Sequence, residues 1–319
     1  MRTRILGTTG VRISALAYGT MAFGGDVDEA GAARLFARCR DAGINHFDCA
    51  DVYNGGEAER ILGRLIADGR DELIISSKAY FPQSPEVNAR GASRRHLRRA
   101  VEDSLRRLGT DRIDLFYVHR FDEHTALEDT LRTLDDLVRQ GKILYPALSN
   151  FAAWETVKAI GICERLGLVK PVCIQPMYNL AKRQAEVEIL PMAAAEGLGV
   201  LPYNPLGGGL LTGKYGRDRR PEHARLVDNK MYATRYGDGQ NYEIAERFVA
   251  LAGEVGVHPA TLAVAWVAGH PAVTAPLLGA RNLEQLEPLL AAADFEMDAE
   301  LRERIAALSP EPPPATDRN

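Results

Sequence analysis

Residues 113–138 read IDLFYVHRFDEHTALEDTLRTLDDLV. The first six, Ile113 to Val118, form a short apolar run with the aromatic and β-branched content of a buried strand. Leu127, Leu131, Leu134 and Val138 then recur at helical spacing. The stretch is one β-α unit, and the unit repeats on both sides. Upstream, Ile74-Ile75 precede a loop and the helical set Leu97, Val101, Leu105 and Leu108. Downstream, Leu148, Ile174 and Val200-Leu201 each sit in a short apolar run with a helical pattern behind it. Val273 to Leu278 completes the series, after the helical set Ile244, Phe248, Leu251 and Val255. Eight strand candidates fall between about residue 15 and about residue 278, roughly 33 residues per unit, close to the size of one β-α repeat. Eight units predict an α/β fold of the closed (β/α)₈ TIM-barrel type, a single domain over residues 1–310. An open doubly wound sheet would need Gly-x-Gly-x-x-Gly after its first strand, and that motif is missing.

Two segments stand outside the repeat. Residues 207–240 hold Gly207-Gly208-Gly209 and the cluster Arg217-Asp218-Arg219-Arg220, and read as a long functional loop. Residues 311–319 are a polar, proline-rich tail expected to be disordered.

The chain has 319 residues, with 39 Lys+Arg against 43 Asp+Glu for a net charge of −4. Its 46% hydrophobic and 26% charged residues exclude a wholly disordered chain. The mild acidity offers no bulk attraction to nucleic acid or to an anionic membrane surface. No apolar stretch approaches the ~18 residues of a membrane span, and Met1 to Gly7 does not lead into the apolar core of a signal peptide. Cys39, Cys49, Cys163 and Cys173 are scattered and read as free thiols of a reducing, cytoplasmic setting. The seven histidines form no metal-binding pattern, so no metal is expected. Nothing in the pattern specifies an oligomeric state.

Catalytic residues of such a barrel lie at the carboxyl ends of its strands. The polar residues there are Gly19-Thr20, Asp48, Lys78, His119, Ser149-Asn150, Gln175, Tyr203 and Gly279 to Arg281. Asp48, Tyr53, Lys78 and His119 make a chemically coherent set. A phenol with an ordinary pKa of about 10 is a poor acid at neutral pH. A nearby ammonium lowers that pKa, and a carboxylate keeps the ammonium charged and in place. A neutral histidine can then orient a carbonyl oxygen beside the phenol, which protonates it as hydride reaches the carbon.

With these residues the chain resembles the aldo-keto reductase family. FDCADVYNGGEAERILG at 47–63 resembles the family's segment from Asp to Tyr, and Lys78 in IISSKAY and His119 in LFYVHRFD match its other two tetrad members. LSNF at 148–151, IQPMYN at 174–179, PYNPLGGGLLTGKY at 202–215 and LLGARNLEQL at 277–286 continue the match, which covers about residues 3 to 308. The resemblance implies a (β/α)₈ barrel that binds NADP(H) in extended form and reduces a small-molecule aldehyde or ketone. It assigns Ser149, Asn150 and Gln175 to the nicotinamide amide and Tyr203 to the nicotinamide ring. Gly19, Thr20, Met21 and Asp48 lie near the cofactor. The backbone of Asn204, Pro205, Leu206 and Gly207, with Lys214, takes the pyrophosphate. Arg281, beside Gly279, takes the 2′-phosphate, and Gln285 the adenine. Some barrels of this family are instead regulatory partners of potassium channels, so a non-catalytic NADPH-sensing subunit is the alternative.

Three positions depart from the pattern. Leu289 stands where related sequences often carry Asn for adenine, Pro146 interrupts the fifth strand run, and Ala147 replaces a common glycine. Gly208 to Lys214 meets part of a nucleotide-triphosphate loop, but Tyr215 follows where that motif needs Ser or Thr, which rejects an ATPase or kinase. Arg217, Arg219 and Arg220 read as a solvated loop that could close over cofactor phosphates. Phe23, Tyr80, Phe81, Arg120, Phe121 and Trp154 follow strand ends and are candidates for the substrate pocket, with Arg120 open to an anionic or sugar-like substrate or to a salt bridge. The remaining histidines, His46, His96, His124, His223, His258 and His270, are read as structural.

Overall fold

The computed structural model describes residues 1–222 and 224–316; His223 and residues 317–319 of the tail lie outside the described residues. Strands β1 (Thr3–Ile5) and β2 (Arg12–Ser14) form an antiparallel hairpin. Eight parallel strands follow: β3 (Ala17–Gly19), β4 (His46–Asp48), β5 (Ile74–Ala79), β6 (Ile113–Val118), β7 (Ile143–Ser149), β8 (Cys173–Gln175), β9 (Gly199–Val200) and β10 (Leu277–Leu278). Neighbours in sequence are neighbours in the sheet, and β10 returns to pair with β3. The ring is closed on the remaining side by Thr274 N–H donating to Val200 O at 2.8 Å and Leu277 N–H donating to Pro202 O at 2.9 Å.

Helices fill the crossovers: α1 (Glu29–Asp41), α2 (Glu57–Ile66), α3 (Arg94–Leu108), α4 (Leu127–Arg139), α5 (Ala153–Leu166) and α6 (Ile189–Ala195). Between β9 and β10 lie α7 (Arg225–Asp228), α8 (Lys230–Tyr236), α9 (Gly239–Val255) and α10 (Pro259–Ala268), and after β10 come α11 (Leu283–Leu290) and α12 (Ala299–Ala306). This is the (β/α)₈ barrel that eight repeated units predict. Residues 311–316 contain no helix or strand. Among the described residues no single helix is long and apolar enough to cross a membrane.

β6 shows why its sequence is apolar throughout. Leu115 and Tyr117 point into the barrel with Ala17, Ala147 and Leu201, whereas Phe116 and Val118 point outward against the helix layer. Both faces are covered, so alternation is lost. On α4 the buried stripe is Leu131, Leu134 and Leu137; Leu127 and Val138, expected as part of it, are only half-buried at its edges. Each of these leucines adds about 1.5–3 kcal/mol by leaving water.

The hairpin plugs the amino-terminal end of the barrel, with Leu6 and Ile13 packed in the interior cluster. Gly7 (φ +53°) passes so close to the barrel floor that a Cβ there would lie 2.7 Å from Val172 O. Arg4 ties the hairpin to the other end of the chain, donating to Val273 O at 2.5 Å and to Ala268 O at 3.2 Å.

Two expectations are corrected. Pro146 does not interrupt its strand: β7 runs unbroken from Ile143 to Ser149. Its carbonyl accepts from Val172 N–H at 3.0 Å, so the N–H it lacks lies on that same edge, below Cys173, where β8 begins. Residues 207–240 are not a long loop either. They fold into a 3₁₀ turn (Gly207–Thr212), α7 and α8, anchored by buried Tyr215, Leu226, Tyr232 and Tyr236. Gly208 (φ +69°) is needed there, because a Cβ would meet the Tyr232 ring at 2.6 Å.

Candidate active site

The carboxyl ends of the strands gather the polar residues expected there on one rim. Asp48 is the last residue of β4, Lys78 the penultimate residue of β5, and His119 follows β6 directly. Asp48 is 2% exposed, and each of its oxygens is used. Oδ1 accepts from Ser76 Oγ at 2.7 Å and from Gln175 Nε2 at 3.1 Å, and Oδ2 pairs with Lys78 Nζ. Lys78 is fully buried and donates also to Cys49 O at 2.7 Å and to the Tyr53 hydroxyl at 3.5 Å. Burial works against its charge, but Asp48 and Tyr53 outweigh it and hold the Lys78 pKa above its ordinary value. The ammonium is therefore permanent and aimed at the phenol.

Tyr53 opens the short 3₁₀ turn that leads into α2. The environment does not lower its pKa as the sequence led one to expect. Desolvation outweighs the pull of Lys78, and the phenol is pushed up to about 12. Lys78 limits the rise without reversing it, so Tyr53 carries its proton across the neutral range. His119 lies edge-on to Tyr53, ring centroids 6.1 Å apart, with Phe81 edge-on to it at 5.0 Å. Burial and then the Lys78 charge depress His119 to about 3, so the imidazole is neutral. Its Nδ1 is buried without a partner.

The expected cofactor residues continue the rim. Ser149 Oγ donates to Gln175 O at 3.0 Å, and Asn150 Nδ2 donates to His119 O at 2.9 Å and to Ser149 Oγ at 3.1 Å. The Tyr203 hydroxyl donates to Asn150 Oδ1 at 2.7 Å. Thr20 leans on the same strand end, its N–H and hydroxyl both donating to Asp48 O. Gly19 ends β3, Met21 is exposed beside it, and Gly279 follows β10. Asn204, Pro205, Leu206 and Gly207 make a turn closed by Gly207 N–H donating to Asn204 O at 2.9 Å. Farther out, the Arg281 guanidinium pairs with Asp26 at 3.1 Å, and Gln285 Oε1 accepts from Arg281 N–H at 3.0 Å. Leu289 is in the core, 1% exposed, and faces no ligand.

Three observations bear on whether this rim fits a dinucleotide. Asn204 Nδ2 is buried without a partner, and Asn54, Asn150 and Asn204, the three non-glycine residues with positive φ among those described, all lie here. Such backbone strain is kept where surrounding structure and function demand it. Burial, then Arg281 and Arg225, lower the Lys214 pKa, which marks a knot of cations suited to phosphates.

Of the pocket candidates, Phe81 lies against His119 and packs edge-on to Tyr80, centroids 5.3 Å apart, while Phe121 and Trp154 form a separate pair at 6.0 Å. Arg120 is exposed beside them. Phe23 is not in the pocket: it is fully buried against Tyr18 in the barrel's outer core. The arginine cluster is occupied as well. Arg217 pairs with Glu243, Arg219 donates to Gly213 O, and Arg220 lies over the Tyr242 ring.

Several supporting residues escaped the sequence reading. Ser76 gives its proton to Asp48, so His46 Nε2 donates to Ser76 Oγ at 3.0 Å and a neutral histidine buttresses the carboxylate from behind. Asn54 pins the Tyr53 turn by donating to Met21 O at 3.0 Å and Phe23 O at 2.7 Å. Glu59, fully buried, accepts from Ser77 Oγ at 2.5 Å and from Arg107 Nε at 2.6 Å. The pair Ser76-Ser77 inside an apolar strand was the available signal.

The sequence of this chain matches known proteins along nearly its whole length. It is 36% identical to the uncharacterized oxidoreductase YrpG of Bacillus subtilis, over 98% of this chain and 97% of that protein. It is 35% identical to a probable voltage-gated potassium channel subunit beta of rice, over 99% of both, and 32% identical to a putative one of Schizosaccharomyces pombe, over 92% and 88%. The family model described as the aldo/keto reductase family spans residues 15–310, the barrel from its first strand to the end of its last helix. By that match, the chain belongs to the aldo/keto reductase family.

Proposed function

We propose that this protein is an NADPH-dependent carbonyl reductase, with a small-molecule aldehyde or ketone as its substrate. The reading rests above all on the buried chain Asp48–Lys78–Tyr53, which aims a permanent positive charge at a phenol that still holds its proton. Tyr53 donates that proton to the carbonyl oxygen, and the Lys78 ammonium stabilises the phenolate left behind. Asp48 holds Lys78 charged, and neutral His119 orients the oxygen beside Tyr53. Ser149, Asn150 and Gln175 would hold the nicotinamide amide, Tyr203 the ring, the Asn204–Gly207 turn and Lys214 the pyrophosphate, and Arg281 the 2′-phosphate. When bound, NADPH supplies the hydride. The Phe81 ring against His119, with Tyr80 packed edge-on to it, supports an apolar or aromatic carbonyl substrate.

The names of the rice and fission-yeast relatives favour a second reading, a cofactor-sensing subunit built on the same site. NADPH oxidation against a panel of aldehydes and ketones separates the two. Turnover by the wild type, reduced by about two orders of magnitude or more in Tyr53→Phe with NADPH still bound, is the expected result. Binding without turnover of any carbonyl favours the sensor, and near-normal turnover by Tyr53→Phe refutes the role given to Tyr53.

A further inference from the structure

Burial, and then the charges of Arg281 and Arg225, lower the Lys214 pKa, so both arginines lie near Lys214. Among the described residues, one carboxylate forms an ion pair with any of the three: Asp26, whose Oδ2 lies 3.1 Å from an Arg281 guanidinium nitrogen. The Asp26 side chain is half exposed, and that of Arg281 is slightly over one-third exposed. Asp26 sits in the loop between β3 and α1, and Arg281 in the turn between β10 and α11, the loops of two strands paired in the barrel. The Asp26 loop is tied down by hydrogen bonds. Gly24 N–H donates to Val27 O at 2.8 Å, Val27 N–H donates to Ala22 O at 3.0 Å, and Asn54 clamps the carbonyls of Met21 and Phe23. Asp26 is thus held beside Arg281 by its own loop rather than by the pair alone.

We propose that Asp26 is a specificity-determining residue: an internal anion that occupies Arg281 until a cofactor's 2′-phosphate displaces it, and that thereby narrows the preference for NADPH over NADH. The inference rests on the proposed reading of Arg281 as the 2′-phosphate contact. NADPH must break the Asp26–Arg281 pair to bring its phosphate to the guanidinium. NADH has no phosphate at that position and leaves the pair intact. A cation shared between an internal and a ligand anion discriminates less than one held free for the ligand alone. The pair is partly exposed, so its effect is that of a surface ion pair and weakens with added salt.

The test is fluorescence titration of NADPH and of NADH into the wild type, Asp26→Asn, Arg281→Ala and the double variant, at low and at high salt. Asp26→Asn keeps the side-chain shape and removes the charge. It should tighten NADPH by roughly two- to fivefold, leave NADH unchanged, and show a smaller gain at high salt. In the Arg281→Ala background the same change should do nothing for NADPH. Equal tightening of both cofactors, a persistent gain without Arg281, or weaker NADPH binding by Asp26→Asn overturns the inference while leaving the reductase reading intact. If the wild type binds neither cofactor, the proposed function falls and this inference with it.

Discussion

Lys78→Met separates two consequences of one buried charge. The substitution keeps the length of the side chain and removes the ammonium. Asp48, 2% exposed, keeps the hydrogen bonds from Ser76 and Gln175 but loses its countercharge. Removing one partner of a buried ion pair typically costs about 3–5 kcal/mol. With an unfolding entropy of about 2.1 cal/mol/K per residue over 319 residues, that cost lowers Tm by about 4–8 °C. Catalysis changes independently. Lys78 is the main group opposing the rise in the Tyr53 pKa, so its loss raises that pKa further and slows proton donation. Calorimetry and NADPH oxidation should be read together on Lys78→Met and on the double variant Asp48→Asn/Lys78→Met. The double variant buries no unpaired charge, so its Tm should return most of the way to wild type while turnover stays low. Unchanged Tm in Lys78→Met would refute the electrostatic account of the pair. Recovered turnover in the double variant would refute the action of Lys78 on Tyr53.

The pH dependence follows from two shifted groups. His119, depressed to about 3, stays neutral through the assay range, and Tyr53, at about 12, stays protonated, so kcat/KM should be flat from about pH 5 to 9. A limb centred near 6.5 that disappears on substituting His119 would contradict this. Asp51, buried with both carboxyl oxygens unpartnered, is pushed up to about 8, first by burial and then by Glu59. An acid with a folded pKa above its unfolded value of about 3.9 gives stability that is full below that value and is lost as pH climbs toward 8. Asp51→Asn should therefore gain in Tm over wild type progressively between pH 4 and pH 8, and a gain largest at pH 4 would reject the assignment.

The eight strands were legible because each is buried on both faces, and a run such as Ile113–Val118 says so directly. The tetrad was legible because strand ends converge in a barrel whatever their separation along the chain. Asp48 and Gln175 meet across 127 residues. Other features depend on which neighbour covers a side chain, and one sequence does not display that. Phe23 looks the same beside a pocket as under a helix, and it lies in the core. The glycines and charges of 207–240 read as a loop, while the tyrosines that fold it into helices are spread too thinly to form a period. Pro146 breaks a strand only where its missing N–H is needed by a neighbouring strand, and the late start of β8 spares it. The direction of the Tyr53 shift turned on how deeply the phenol is desolvated, which spacing alone does not give.

The amino-terminal hairpin sets a conflict between the order of synthesis and the order of docking. Leu6 and Ile13 leave the ribosome before any barrel strand, yet the surfaces that cover them include Leu201 and Leu277. Arg4 waits still longer, for carbonyls 264 and 269 residues away. Contacts of such separation form late, after most of the loop-closure entropy has been lost. A nascent chain stalled before Leu277 therefore carries an unsheltered apolar stopper at one end and an open strand edge at the other. Both are surfaces on which chains associate. The closing strand thus ends the period in which the growing chain is most exposed to aggregation, and a truncation that removes β10 would leave the first residues made with an incomplete socket.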